Sequence, residues 1–212
     1  MRILFVGNSF TARNNLPGLV SGLARERGIT LQHKLIQAGG ASLRQHLNSG
    51  AVAAALESGG YDVVVLQEQS TLPGKNAKRM HENVREMHEL ITSAGAETVL
   101  YMTWTRLNQP DGQAAITTAY ASIAAELGVT LVPVGMVWER FLRTHDEPAL
   151  HDSDGSHPSA AGSYLAACVF LIALLRQDPV GIETKVKGLA DDDAKLIRDE
   201  TWRICEDLAA GQ

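Results

Sequence analysis

The sequence predicts a three-layer α/β/α sandwich around a five-stranded parallel sheet. Two observations carry that expectation. Short, continuous apolar runs recur along the chain, and each is followed by a longer stretch with polar and apolar residues at helical spacing. A run that is apolar on both faces of the pleat is a strand buried on both sides. Parallel strands need crossover connections, so five such runs separated by helices call for helices on both faces of one sheet.

Arg2–Val6 is the first run, followed by a helix over Leu16–Arg27 with Pro17 in its first turn and Gly28 as its stop. Thr30–Gln37 reads as the second strand, ended by Gly39-Gly40, and short helices are expected from Ser42 and over Ala51–Glu57. Asp62–Leu66, with Val63-Val64-Val65 at its centre, is the third strand. A helix over Lys75–Ala94 stops before Gly95, and Glu97–Thr103 is the fourth strand. Gln113–Leu127 is a helix ended by Gly128, Val129–Val134 is the fifth strand, and Met136–Thr144 is helical. Glu147–Ser159 is a loop before an apolar helix over Ala160–Leu175. A last amphipathic helix, Asp191–Leu208, suits either packing on the sheet or a dimer contact between copies. The whole is expected as a single domain over 1–212, with a C-terminal helix from about residue 190 and a flavodoxin-like sheet.

Bulk properties narrow the function. With 45% hydrophobic and 20% charged residues, the 212-residue chain has material for a full core. A net charge of -5 and a pI near 5.8, with scattered basic residues, give no basic face for nucleic acid or an anionic membrane. Cys168 and Cys205 show no metal or redox spacing and are expected as buried free thiols, which fits a reducing compartment. Without a signal-peptide core or an apolar run near ~18 residues, the cytoplasm is the expected location.

Chemistry-bearing residues fall after the strands, where the carboxyl edge of a parallel sheet collects working groups. Ser9, in Gly7-Asn8-Ser9-Phe10-Thr11, follows the first strand and opens a helix, so its hydroxyl is exposed and its N–H can face an oxyanion. On its own such a serine is equally a helix cap, and a phosphate-binding turn would need a glycine spacing that is missing. Asp154 and His157 lie three apart in Asp152-Ser153-Asp154-Gly155-Ser156-His157-Pro158. The carboxylate can accept from one imidazole nitrogen and leave the other free to take a hydroxyl proton. A metal site from His151, Asp152, Asp154 and His157 would crowd its ligands onto one loop without a distant partner, so no metal is expected. Gly39-Gly40 and Gln67-Glu68-Gln69-Ser70 complete the strand-end set, Glu68 being expected as a solvated carboxylate. His33, His46, His81, His88 and His145 have no partner at useful spacing and are expected at the surface.

These motifs, in this order from residue 7 to residue 162, resemble the SGNH (GDSL-like) hydrolase superfamily, in a branch with GNSF and LQEQS motifs. Gly7-Asn8-Ser9-Phe10 stands at the family's GDS turn, and Asp154-Gly155-Ser156-His157-Pro158 matches its DxxHP block, with Gly162 after it. The resemblance implies Ser9, Asp154 and His157 as catalytic residues, and an oxyanion hole from the N–H groups of Ser9 and Gly40 (Gly39 the alternative) with an amide from Gln69 or Gln67. Gln69 is preferred because it lies beyond the strand end. Two departures stand out: Asn8 replaces the usual aspartate, and no GxND asparagine follows the third strand. Asn8, Trp104 and Arg106 are assigned to the substrate pocket. The expected function is hydrolysis of short-acyl esters, sugar O-acetyl esters among them, through an acyl-Ser9 intermediate. A small-molecule ester is the expected partner and no cofactor is implied. An inactive scaffold of this family and a flavodoxin-like phosphate or nucleotide module are the alternatives.

Overall fold

The computed structural model describes residues 1–211. Five strands, β1 (Arg2–Gly7), β2 (Gln32–Gln37), β3 (Val63–Leu66), β4 (Glu97–Tyr101) and β5 (Thr130–Val132), form one sheet in the order β2-β1-β3-β4-β5. All four pairings are parallel. That is the flavodoxin-like order, which puts the carboxyl ends of β1, β2 and β3 side by side where the order reverses.

Ten helices connect and cover the sheet: α1 (Ser9–Ala12), α2 (Leu16–Glu26), α3 (Leu43–Ser49), α4 (Ala51–Glu57), α5 (Leu72–Lys75), α6 (Ala77–Ser93), α7 (Gln113–Leu127), α8 (Val134–Leu142), α9 (Ala160–Ala173) and α10 (Asp191–Ala210). The strand sequences divide cleanly between two cores, because alternate residues point to opposite faces. Ile3, Phe5, Val63, Val65, Val99 and Tyr101 pack with α2, α8, α9 and α10. Leu4, Val6, Val64, Leu66, Leu100 and Met102 pack with α3, α4, α6 and α7.

Several bounds differ from expectation for local reasons. β5 stops at Val132, because Pro133 has no N–H to continue a ladder. β4 ends at Tyr101 rather than Thr103. The helix expected from Lys75 is two helices, because Asn76 leaves the helical conformation to cap α6, accepting a hydrogen bond from Arg79 N–H.

The C-terminal helix does not pack on the sheet, one of the two surfaces considered for it. α9 is buried from Ala161 to Leu171 all round its circumference, so it cannot be a surface helix of a three-layer sandwich. α10 covers its outer side with Ala194, Ile197, Thr201 and Ile204, and so packs on α9 and α8 as an extra layer rather than on the sheet. Among the described residues, no helix is long and apolar enough to cross a membrane.

Phe170 sits at the centre of this packing, fully buried and edge-on to Phe5 of β1 and Tyr101 of β4 at 5.8 and 5.1 Å between ring centroids. Phe170→Ala is expected to cost about 3–5 kcal/mol, read as a fall in the urea midpoint with an unchanged slope.

Candidate active site

The first strand ends in a turn with almost no spare room. A side chain on Gly7 would meet Thr11 Oγ1 at 2.5 Å and Gln67 Oε1 at 2.6 Å, so only glycine allows α1 to start directly against β3. Asn8 caps α1 by accepting from Phe10 N–H at 3.1 Å, and Ser9 becomes the first helical residue. Its hydroxyl therefore projects at the sheet edge, beside the N-terminus of the helix.

The partner of that hydroxyl comes from a segment 148 positions further along the chain. Residues 150–159 fold back on themselves: Asp152 N–H donates to His157 O at 2.7 Å and Ser159 N–H to Leu150 O at 2.9 Å. Within this hairpin Asp154 Oδ1 accepts the backbone N–H groups of Ser156 and His157, both at 2.9 Å. Its other oxygen, Oδ2, lies 2.5 Å from His157 Nδ1. His157 Nε2 is then the free nitrogen, and Ser9 Oγ lies 2.8 Å from it. The hydrogen bond from the imidazole, followed by those from the two N–H groups, holds the Asp154 carboxyl well below the usual carboxylate range, so it is an anion throughout neutral pH. An anion on Nδ1 fixes the tautomer in which Nε2 accepts, the state needed to take a proton from Ser9.

Two residues that no sequence spacing announces, Arg13 and Asn14, clamp the two segments together. Arg13 pairs with Asp152 at 2.9 Å. Asn14 Nδ2 donates to Pro158 O, Ser159 O and Ser163 Oγ at 3.1, 2.9 and 2.9 Å. Ser159 Oγ in turn caps α9 through Gly162 N–H. The residues just after Ser9 thus hold those flanking His157. Of the four residues weighed as a metal set, Asp152 is committed to Arg13, and His151 turns away to place Nε2 3.1 Å from Thr105 O.

On the other side of Ser9 lie the ends of β2 and β3. Ala38–Ala41 is a turn closed by Ala41 N–H to Ala38 O at 3.1 Å, and Gly40 sits in it at φ +66°, a conformation costly for any residue with a Cβ. Gln67 is fully buried, its Oε1 accepting Asn8 N–H and Thr11 Oγ1–H at 2.9 Å each while its amide N–H bonds Glu68 O. Buried and tied to Asn8, Thr11 and Glu68, Gln67 has no surface on the open side of the sheet edge. Gln69 Oε1 accepts Thr71 N–H and Leu72 N–H at the start of α5, at 2.9 and 3.0 Å, leaving its NH2 without a protein acceptor. The backbone N–H groups of Ser9 and Gly40 are likewise without one among the described residues.

Three expectations are corrected here. Asn8 is buried, and both side-chain ends are used, Nδ2 donating to Ala41 O at 3.0 Å; it is a structural tie and not part of a substrate pocket. Glu68 is buried rather than solvated, its carboxylate accepting Leu43 N–H, Gln69 N–H and Asn83 Nδ2 at 2.9, 2.7 and 2.8 Å. His46 is also buried, 2.8 Å from Gly7 O through Nε2. Trp104 is 2% exposed, stacked on Trp138 at 3.8 Å and 4°, with its N–H donated to Ser156 O at 3.1 Å.

Trp104 does contribute to the floor of a cavity of about 170 Å³ beside the candidate centre, together with Phe10, and Arg106 stands on its wall. Phe10 connects this cavity to the centre, its ring centroid lying 5.3 Å from that of His157 and 5.1 Å from that of Trp104.

The chain matches no family model and no curated protein sequence. Among solved structures, a protein of Slackia heliotrinireducens assigned to the SGNH hydrolases is 32% identical, over 82% of this chain and 98% of that one, with a TM-score of 0.69. A DUF4886 family protein from Bacteroides uniformis superposes with a TM-score of 0.79 at 18% identity, over 97% of this chain and 95% of that one. Axe2, an acetylxylan esterase from Geobacillus stearothermophilus, reaches 0.63 at 16% identity, over 80% of this chain and 92% of that one. The last two share the fold.

The role found for Asn8 can be tested directly. Asn8→Asp keeps the cap on Phe10 N–H but sets a second acceptor against Ala41 O in a buried site, a loss of about 1–3 kcal/mol. Chemical denaturation at neutral pH is expected to show that loss, and it should shrink as pH falls and the buried carboxyl takes up a proton, which restores a donor.

Proposed function

The chain belongs to the SGNH hydrolase family, and we propose that it is a serine esterase working through an acyl-Ser9 intermediate on short-acyl esters, acetylated sugars among them. The observation that carries the proposal is the continuous relay from Asp154 Oδ2 through His157 to Ser9 Oγ, at 2.5 and 2.8 Å. Three residues from a turn and a hairpin far apart in the chain meet with the spacing that a nucleophile, its base and the orienting carboxylate require.

In the first half-reaction Ser9 Oγ attacks the acyl carbon as its proton passes to His157 Nε2. The tetrahedral oxyanion falls beside the unpaired N–H groups of Ser9 and Gly40 and the free NH2 of Gln69, three donors fixed before the substrate arrives. The C–O bond to the alcohol then breaks, and the alcohol leaves with the proton from His157. Water repeats the sequence on the acyl-serine: its proton goes to His157, its oxygen to the acyl carbon, and the acid is released as Ser9 regains the proton. Asp154 stays ionised and stabilises the imidazolium in both halves. The cavity beside Phe10, at about 170 Å³, is of a size for a small group rather than a long acyl chain, which supports the short-acyl reading. Axe2, named as an acetylxylan esterase, offers a parallel on the same fold.

A fluorophosphonate should add one adduct to the intact mass of the wild type and none to Ser9→Ala. Turnover of p-nitrophenyl acetate should fall at least about 10³-fold in Ser9→Ala and in His157→Ala, with little further loss in the double variant, because the two act as one unit. A folded wild type that neither labels nor turns over would return the inactive scaffold.

Gln69 is best tested with Gln69→Glu. The carboxylate keeps the acceptor that caps α5 but lacks the amide donor, so kcat should drop about 10²–10³-fold while thermal stability holds. An unchanged kcat would leave the oxyanion to the two backbone N–H groups.

A further inference from the structure

The cavity beside the centre carries charge of one sign. Its charged lining consists of Lys75, at the end of α5, and Arg106, in the loop after β4, with no carboxylate among the lining residues. Neither cation makes an ion pair or a side-chain hydrogen bond among the described residues. Elsewhere cations near carboxylates are engaged: Arg13 with Asp152, Arg44 with Glu86, Arg85 with Glu126 and Arg143 with Glu139. Two free cations on one hollow are notable in a chain whose formal charge is -5, because the long-range field does nothing to draw anions to it. The floor below them is apolar, made by Phe10, Trp104 and Ile116, and the half-buried Ser70, whose hydroxyl is unpaired, adds a neutral donor. An apolar floor lowers the local dielectric and strengthens a charge–charge contact at the rim.

The geometry points to an ester substrate that bears an acid group, a carboxylate in the first instance, held by Lys75 and Arg106 while its scissile carbonyl lies at Ser9. This inference rests on the serine-esterase reading and names the substrate class of the same site. Arg106 supplies a planar fork suited to a carboxylate, and Lys75 a mobile point charge that can follow it. The aliphatic stem of each can rest on the apolar floor while its charged end meets the ligand.

Matched esters test it: 4-acetoxybenzoate against its neutral methyl ester places the acid on the alcohol side. The p-nitrophenyl monoester of succinate against p-nitrophenyl butyrate places it on the acyl side. In one pair the acid is expected to have the higher kcat/KM, by about fivefold or more, chiefly through a lower KM. That preference should shrink between 0.02 and 0.5 M salt (roughly 20 to 4 Å of screening length). Lys75→Gln with Arg106→Gln should close the gap between acid and neutral ester, whereas Lys78→Gln, an exposed cation outside the cavity, should leave it open. Arg106→Glu should reverse the preference. Equal or faster turnover of both neutral esters by a wild type that still labels with fluorophosphonate would overturn the acid-group assignment and leave the esterase intact. Loss of labelling and of all turnover would overturn both. A gap that survives the double variant would place the acid elsewhere and also defeat the assignment.

Discussion

The seat of Asn8 is the constraint on which the rest of the site depends. One buried residue ties three strand ends together: its N–H goes to Gln67 at the end of β3, its Nδ2 to Ala41 after β2, and its Oδ1 accepts from the first turn of α1 after β1. A parallel sheet brings those ends near one another, but nearness leaves ångströms of freedom. Hydrogen bonds from a fully buried amide remove that freedom, because breaking any of them strands a polar group away from water. His46 against Gly7 O and Glu68 against Leu43 N–H brace the same region from the side of α3. The Gly40 turn, the Gln69 segment and Ser9 are consequently fixed with respect to one another by the scaffold alone. Fixed donors of this kind are what a developing oxyanion needs, since they cost no reorganisation at the moment of reaction.

His157 is positioned by a different means. Asp154 and His157 sit on an exposed hairpin, where an ion pair has little power to hold anything in place. Rigidity comes from what lies on either side. α9 begins two residues after Pro158 and is embedded in the core, and Asn14 grips three acceptors at its mouth. The buried indole of Trp104 holds Ser156 O from below. The relay is thus an exposed set of weak contacts mounted on a helix that cannot move.

The sequence was most informative where burial imposes a pattern that composition can display. β1 and β3 are apolar at every buried position because both faces are covered, and their continuous runs say so. Ser9 and the Asp154–His157 pair, which the structure brings together, were singled out because nucleophile and base chemistry demands particular residue types at short spacing. What stayed hidden depends on contacts between distant segments. Gln67 and Gln69 are two residues apart and chemically alike, and the register of β3 alone decides that the first is buried under Asn8 and the second is not. Glu68 and His46 look like surface groups until the fold surrounds them with backbone partners. For α9 the uniform apolarity was itself the signal that something must cover its outer side, and α10 does so.

The relay between Ser9 and His157 spans 148 positions of the chain. During synthesis the amino-terminal end leaves the ribosome first, so the turn carrying the serine emerges long before the hairpin carrying its base. The hairpin in turn is steadied by α9, and the apolar surface of α9 is closed off by α10, which follows both along the chain. A nascent chain can therefore build most of its sheet before Ser9 has its partner. Ser9 meets His157 only after the hairpin has emerged, and the same order leaves an apolar helix waiting for its cover in the interval, the stage at which the newborn polypeptide most needs protection from its neighbours.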